Sequence, residues 1–251
     1  MSSHPTGQCC STIGSIHQGT PRGESVKIDG KIEGYLSRAQ GDAHSDAAIL
    51  FVPDIFGIWQ NNQLVADAFA ARGYTTLIPD LFNGDQLTVE NAGKVDIMGW
   101  FAKGSDGNNP HTPAEIDPVI VSGIKHLQSL GFKRIGSAGY CIGAKYVVRH
   151  FKSGIDCGFL AHPSFVTQEE LEAITGPLSI AAAETDSIFP AEKRHESEVI
   201  LQKMKLPYQI SLFSGVEHGF AVRGKETEKQ EKFAKEQAFL QAAAWFDNYL
   251  V

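Results

Sequence analysis

The sequence lacks the features of a membrane, secreted or nucleic-acid-binding protein. No apolar run approaches the roughly 18 residues that a membrane-spanning helix requires. Residues 1–7 are too polar for a secretory signal. Lysine and arginine form no cluster, and the net charge of −7 disfavours nucleic acid and anionic membranes as main partners. We therefore expect a cytoplasmic protein whose main partner is neither nucleic acid nor a membrane surface.

Cysteine is scarce, and its spacing excludes two common uses. The four cysteines are Cys9, Cys10, Cys141 and Cys157, and they match neither a disulfide framework nor a zinc ribbon. In a reducing compartment they are expected to be thiols. Cys9, Cys10 and His17 raise the alternative of a metal site, but they lack paired ligand spacing, so no metal or cofactor is predicted. Cys157 lies in an apolar strand and is expected in the core.

Composition and length favour one folded unit. The chain has 251 residues, 42% of them hydrophobic and 20% charged, which permits a sizeable core. Residues 1–24 are rich in Gly, Ser and Pro and precede the first regular element, so they predict an N-terminal arm. No linker-like segment interrupts residues 25–251, which are therefore predicted to form a single domain.

Predicted strands alternate with predicted helices along the domain. The dipeptide Asp29-Gly30 predicts a hairpin turn between two short strands. Buried strands are predicted at 47–52, 74–78, 134–138, 157–161, 178–183 and 208–213. Helices are predicted at 63–72, 113–130, 144–151, 168–174, 191–205 and 227–250. This alternation predicts an α/β fold whose mostly parallel central sheet is covered by helices on both faces.

One segment and one helix start stand out between these elements. Residues 81–111 have no clear periodicity, which indicates a loop over a functional site or a short helix. The next helix begins with a threonine cap at Thr112, a proline at its first position and Glu115, which completes a capping box. Pro118 lies within that helix and is expected to bend it.

The run Gly139-Tyr140-Cys141-Ile142-Gly143 follows a predicted strand and precedes a predicted helix. This is the pattern of the nucleophile elbow of an α/β-hydrolase, with cysteine in place of the usual serine. The glycines allow a tight turn that strains the central residue. The helix start directs N–H groups at the sulfur and favours a thiolate. The alternative is that Cys141 is a buried structural thiol.

A cysteine nucleophile needs a base, and the base needs an acid to orient it. In this fold the chain order is nucleophile, acid, histidine. Asp186 and His218 follow two later strands in that order, although Glu184 in the first of these loops is an alternative acid. The backbone amides of Ile142 and Ile55 are the expected donors to an oxyanion.

Three motifs together resemble the dienelactone hydrolase family: Asp54-Ile55-Phe56-Gly57, the Tyr-Cys elbow at Gly139–Gly143, and His218-Gly219-Phe220. The resemblance covers about residue 26 to residue 251. It implies a Cys–His–Asp triad, an acyl-thioester intermediate and the opening of a small lactone or ester, often one bearing a carboxylate. The arm at residues 1–24 is similar to the fungal branch of the family.

The resemblance also implies residues that contact the substrate. In bacterial members an acidic residue aligned with Asp54 interacts with the resting cysteine, although there it is commonly the longer glutamate. Arg223 resembles one of two carboxylate-binding arginines, and residues 81–111 offer no counterpart to the second. Alternatives are that Asp54 only caps a turn and that Arg223 is a surface residue. The substrate-binding candidates are Asp54, Phe56, Tyr140, Trp100, Phe220 and Arg223.

The leading hypothesis is a cofactor-free cysteine hydrolase of small lactones or activated enol esters, either a monomer or a homodimer. A second hypothesis keeps the triad but uses it for ring rearrangement, carbon–carbon cleavage or acyl transfer in a secondary-metabolite pathway. A third is a non-catalytic ligand-binding protein on a hydrolase scaffold.

The segment His162–Phe165 follows a strand, and the sequence leaves open whether it borders the cleft or forms a structural turn.

Overall fold

The computed structural model describes residues 3–4, 16–40 and 43–251 of the chain. Its centre is an eight-stranded sheet. The strands are β1 (Glu24–Ile28), β2 (Ile32–Ser37), β3 (Ala47–Val52), β4 (Thr75–Pro79), β5 (Arg134–Tyr140), β6 (Cys157–Ala161), β7 (Leu178–Thr185) and β8 (Tyr208–Glu217). The spatial order is β1-β2-β4-β3-β5-β6-β7-β8. The predicted strands are therefore confirmed as members of one sheet.

Strand direction follows from the connections. β1 and β2 form the predicted antiparallel hairpin, with Asp29 and Gly30 at φ values of 50° and 71° in its turn. β2 also runs antiparallel to β4, whereas every later pair from β4 to β8 is parallel. Helices connect the parallel strands, as such crossovers require. The mostly parallel α/β fold predicted from the sequence is confirmed.

Helices cover both faces of the sheet. They are α1 (Gln60–Ala71), α2 (Ile97–Lys103), α3 (Pro113–Ser129), α4 (Gly143–Arg149), α5 (Gln168–Glu172), α6 (Ala191–Met204), α7 (Phe220–Arg223) and α8 (Lys229–Tyr249). Alternate residues of β3 enter two different hydrophobic clusters. Leu50 packs in the cluster that contains α3, and Phe51 packs in the cluster that contains α1 and α8. Burial on both faces explains why β3 is apolar throughout.

The segment 81–111 contains the short helix that the sequence left open. α2 is amphipathic enough to bury Ile97, Trp100 and Phe101. The Trp100 indole N–H donates to the Asp85 carbonyl at 3.0 Å, and His111 Nε2 lies 2.8 Å from Asp85 Oδ2. These contacts fix the segment internally, and its buried Trp100 and Phe101 pack in the hydrophobic cluster that also contains Cys141.

Local signals set several helix ends. The capping box of Thr112 and Glu115 is present at the start of α3, which continues through Pro118. α7 was not predicted, because four residues are too few to show a helical period. No helix within the described residues is both long and apolar enough to cross a bilayer.

Candidate active site

Cys141 lies at the end of β5, at the turn into α4, with φ of 54°. Such a positive φ is costly for a residue with a side chain. The glycines on either side allow it for steric reasons. A Cβ on Gly139 would come within 2.8 Å of the Ala144 Cα, and one on Gly143 within 2.1 Å of the Val52 carbonyl oxygen. The glycine spacing therefore lets the turn press against both its own helix and the neighbouring strand.

The pairing of β7 with β8 brings the acid and the histidine together. Beyond a bulge, Thr185 pairs with Glu217, so the next residues, Asp186 and His218, emerge side by side. His218 Nδ1 donates to Asp186 Oδ2 at 2.8 Å, and neither side chain has any exposed surface. The alternative acid, Glu184, accepts instead from the Gly215 amide at 2.7 Å.

The electrostatic surroundings of His218 favour its protonated form, the imidazolium. Burial lowers the pKa of His218, but the charge of Cys141 and the hydrogen bonds of His218 to Asp186 and Cys141 outweigh it, raising the pKa to about 10. Burial would raise the pKa of Asp186, yet hydrogen bonds from His218 and from the Ile188 and Phe189 amides bring it below its usual value. The sulfur is thus within hydrogen-bonding reach of a ring that readily carries a proton.

Ser164 is a site residue that the sequence did not single out by itself. Its Oγ lies 3.3 Å from the Cys141 Sγ, and its amide donates to the Cys141 carbonyl at 3.0 Å. The only signal was its place in the His162–Phe165 segment after β6. That segment borders Cys141.

The imidazole ring of His162 packs against that of His218. Its ring packs edge-on against His218, with centroids 4.9 Å apart, and lies 5.8 Å from the Phe220 ring. Neither ring nitrogen of His162 has a hydrogen-bond partner among the described residues. Burial, with the charges of His218 and Arg223, lowers its pKa well below the usual value, so the ring is neutral.

Asp54 and Arg223 form a buried ion pair beside the sulfur. Arg223 Nη1 lies 3.2 Å from Asp54 Oδ2, and the guanidinium lies 5.3 Å from the Phe56 ring centroid. Burial raises the pKa of Asp54, and the charge of Cys141 adds to this, while Arg223 opposes it. Asp54 also accepts from the Phe56 amide and from Asn62 Nδ2. The Arg223 side chain is buried, so the alternative that Arg223 is a surface residue is wrong.

The amides of Ile55 and Ile142 are available as donors. Neither appears as a donor in any loop, turn or cap hydrogen bond of the described residues. The close approach of Gly143 to Val52 and Pro53 joins the start of α4 to the loop that contains Ile55.

Comparison with known proteins places this chain in a family. Residues 32–250 match the dienelactone hydrolase family. The chain is 47% identical over 253 residues to "Hydrolase pyvD" of Aspergillus violaceofuscus, across 100% of this chain and 99% of that protein. It is 43% identical over 255 residues to "Hydrolase tropI" of Talaromyces stipitatus, with the same shares covered. The chain belongs to the dienelactone hydrolase family.

More distant matches agree with this assignment. "Dienlactone hydrolase 1" of Gibberella moniliformis is 33% identical over 254 residues, across 98% of this chain and 95% of that protein. A putative dienelactone hydrolase structure from Klebsiella pneumoniae has a TM-score of 0.69 at 13% identity, covering 92% of this chain and all of that one. That likeness shows the shared fold. The predicted family, its fungal relatives and the predicted class, an ester or lactone hydrolase, are confirmed.

The four aromatic residues predicted to bind substrate do not all lie at the candidate site. Phe56 lies beneath Arg223, and Phe220 lines a cavity of about 180 Å³ with His218. Tyr140 stacks on Phe51 at 4.7 Å on the opposite side of the sheet from Cys141, and Trp100, itself part of the 81–111 segment, packs against Phe82 and Phe101. The structure thus brings Phe56 and Phe220 to the site but holds Tyr140 and Trp100 in the core.

A second cavity of about 230 Å³ opens beside the elbow. Its walls are mainly apolar, and they include Ile142, Phe101, Tyr146 and Phe165. Ile142 is the residue directly after Cys141, so this cavity lies beside the elbow turn, although Cys141 itself is not among the lining residues.

The cysteine-rich arm contributes no metal site that the structure describes. Cys9 and Cys10 lie outside the described residues. Among the described residues, no group of His, Cys, Asp and Glu side chains could hold a metal ion. His17 is buried, with Nε2 at 2.9 Å from the Gly224 carbonyl and Nδ1 at 2.7 Å from Lys235 Nζ. Cys157 is buried in β6, and burial raises the pKa of its thiol.

Proposed function

We propose that this enzyme hydrolyses small lactones or activated esters through an acyl-thioester on Cys141. The observation that carries the proposal is the unbroken hydrogen-bonded series from sulfur to imidazole to carboxylate. His218 bonds to Cys141 on one side and to Asp186, at 2.8 Å, on the other. A base that bonds both the nucleophile and an orienting acid is the general arrangement of nucleophilic catalysis.

In the first half-reaction the Cys141 proton passes to His218, and the sulfur attacks the substrate carbonyl. The raised pKa of His218 favours the thiolate–imidazolium pair before substrate arrives. The amides of Ile55 and Ile142 receive the oxyanion, and each such donor contributes roughly 3 kcal/mol to barrier lowering. His218 then returns its proton to the departing enol or alcohol oxygen.

In the second half-reaction His218 accepts a proton from water, which attacks the thioester and releases the acid. Asp186 stays ionised throughout, because its pKa lies below its usual value. Thiolate is itself readily expelled from the tetrahedral adduct, so good leaving groups such as enolates suit the site better than amines.

The cavity beside the elbow supports a compact, partly apolar substrate. The cavity of about 230 Å³ beside Ile142 accommodates a ring or short acyl group rather than a polymer. On the other side, a substrate carboxylate would meet Arg223 only in competition with Asp54, which already bonds it at 3.2 Å. Asp54, Phe56, Phe220 and Arg223 are the residues that we assign to substrate binding.

Trapping the intermediate tests the proposal. Incubation with a slow aryl ester should give an acyl adduct, located on Cys141 by peptide mass spectrometry. The Cys157→Ala variant is the matched control, because it removes the other described thiol and should keep the adduct. Hydrolysis in ¹⁸O-water should place the label in the released acid, which separates hydrolysis from rearrangement or transfer. Full activity of Cys141→Ala would overturn the proposal.

A further inference from the structure

We propose that Ser3 and His4 are positioning residues of the active site. They tie the loop that contacts the Cys141 sulfur to the loop that carries Asp186. This inference rests on the proposed function, because it assigns a role in positioning the same triad. It gives the N-terminal arm a part in catalysis.

The arm binds both loops through its backbone. The Ser3 amide donates to the Val166 carbonyl at 2.9 Å, and the Phe165 amide donates to the His4 carbonyl at 3.0 Å. On its other side, the His4 amide donates to the Ile188 carbonyl at 2.6 Å. Residues 3 and 4 therefore lie between the β6–α5 loop and the β7–α6 loop.

The side chain of Ser3 adds a bond that the backbone alone does not supply. Its Oγ accepts from the Val166 amide at 2.8 Å, and the whole residue is buried. A buried amide that loses its acceptor is costly, so this hydroxyl has a specific partner to satisfy. Alanine at this position removes that bond while leaving the backbone contacts possible.

Each bridged loop is one short step from the reacting groups. Ser164, whose Oγ lies 3.3 Å from the Cys141 Sγ, directly precedes Phe165. Ile188 donates its own amide to Asp186 Oδ1 at 2.8 Å. A shift of either loop would therefore move a group that touches the sulfur or the acid that orients His218.

The β6–α5 loop needs such support because its backbone is strained. His162 and Phe165 have φ values of 40° and 59°, in a region that bulky residues rarely adopt. Strain of this kind persists only where the surroundings hold it. Lys145 Nζ binds the Phe165 carbonyl at 3.1 Å, and the arm binds the Phe165 amide, so the two together hold both sides of the residue.

The test compares Ser3→Ala, the conservative Ser3→Thr and a deletion of residues 2–4. Ser25→Ala is the matched control, because Ser25 is exposed on β1. The measurements are kcat and KM on p-nitrophenyl acetate and the pH profile of Cys141 alkylation by iodoacetamide. They are made well below each variant's melting temperature.

We expect Ser3→Ala to lower kcat on the order of tenfold with KM little changed, since small misplacements of reacting groups are costly. The midpoint of the alkylation profile should shift, and Ser3→Thr should restore both. The deletion should lower kcat further, while Ser25→Ala should match the unmodified chain.

The inference would be overturned if Ser3→Ala had the same kcat and the same Cys141 alkylation profile as the unmodified chain, whatever the deletion does. A lower melting temperature with unchanged kcat and pH profile would also overturn it, because that is the result of a merely structural role. Cys141→Ala in the same series separates the two proposals. Its full activity would overturn the proposed function, whereas its inactivity beside an unaffected Ser3→Ala would overturn only the role of the arm.

Discussion

Arg223 and Asp54 pair inside the protein, with Nη1 and Oδ2 at 3.2 Å and almost no exposed surface on either side chain. The pair lies near Cys141, whose charge contributes to raising the pKa of Asp54. Gly219 makes room for it, because a Cβ there would come within 2.2 Å of an Arg223 nitrogen. The glycine after His218 thus serves the ion pair as well as the turn.

Replacing Arg223 by methionine should destabilise the fold in a pH-dependent way. We expect the free energy of unfolding at about pH 8 to fall by roughly 3 kcal/mol, because a buried carboxylate loses its partner. Without the cation, the pKa of Asp54 rises further, so the folded state binds a proton that the unfolded state does not. Stability then falls as pH rises, and the loss should be smaller near pH 5. Urea denaturation at both values measures this.

The double variant Asp54→Asn with Arg223→Met is the control for the Arg223→Met measurement. It removes both charges and should be more stable near pH 8 than Arg223→Met alone. A loss of the same size at both pH values, or a double variant no better than the single one, would show that the ion pair is not the cause.

Asp186→Asn should slow the enzyme far more than Glu184→Gln, its matched control two residues earlier at the end of β7. We expect kcat to fall by roughly 10³-fold to 10⁴-fold, because the amide cannot hold the His218 tautomer or stabilise the imidazolium. The pKa of His218, about 10 with Asp186 in place, should fall. Steady-state kinetics and the pH profile of alkylation measure these effects. Equal losses in both variants would contradict the assignment.

Ser164→Ala should make the Cys141 sulfur less reactive. The Ser164 Oγ lies 3.3 Å from the sulfur and can donate a hydrogen bond to a thiolate. We expect slower alkylation at neutral pH and a profile whose midpoint moves to higher pH, since hydrogen bonds to charged groups are the stronger ones. Ser137→Ala is the control, because Ser137 is also buried but donates to the Leu50 carbonyl. Identical profiles for the two variants would disprove the role.

Gly143→Ala should destabilise the elbow. The added Cβ would lie 2.1 Å from the Val52 carbonyl oxygen, a backbone atom that cannot turn aside. We expect a loss of about 3 kcal/mol in the free energy of unfolding, with reduced activity from displaced oxyanion donors. Gly93→Ala is the comparison, since no atom lies within 4 Å of its added Cβ. Thermal denaturation of both variants decides, and equal melting temperatures would refute the steric argument.

Local patterns carried most of what the sequence could predict. The elbow around Cys141, the Asp29-Gly30 hairpin and the Thr112–Glu115 capping box each depend on a few consecutive residues, and the structure contains all three. The ends of β7 and β8 were predicted too early. They extend to Thr185 and Glu217 because those residues pair with each other beyond a bulge, which neither strand's own sequence reveals.

The contacts that shape the site were beyond the sequence for the same reason. Ser164 meets Cys141 across 23 positions, Asp54 meets Arg223 across 169, and Ser3 meets Val166 across 163. No periodicity or spacing rule links residues so far apart. Only the packing of strands and loops selects among their possible partners.

The sequence by itself determined the parallel sheet, the strained cysteine turn and the order of acid and histidine, since backbone sterics and hydrophobic periodicity act over short distances. Tertiary structure alone decided that Arg223 is neutralised by Asp54, that Ser164 reaches the sulfur and that Tyr140 faces the core. Those outcomes depend on burial, where an unpaired charge or polar group is costly and the fold must bring it a partner from elsewhere in the chain.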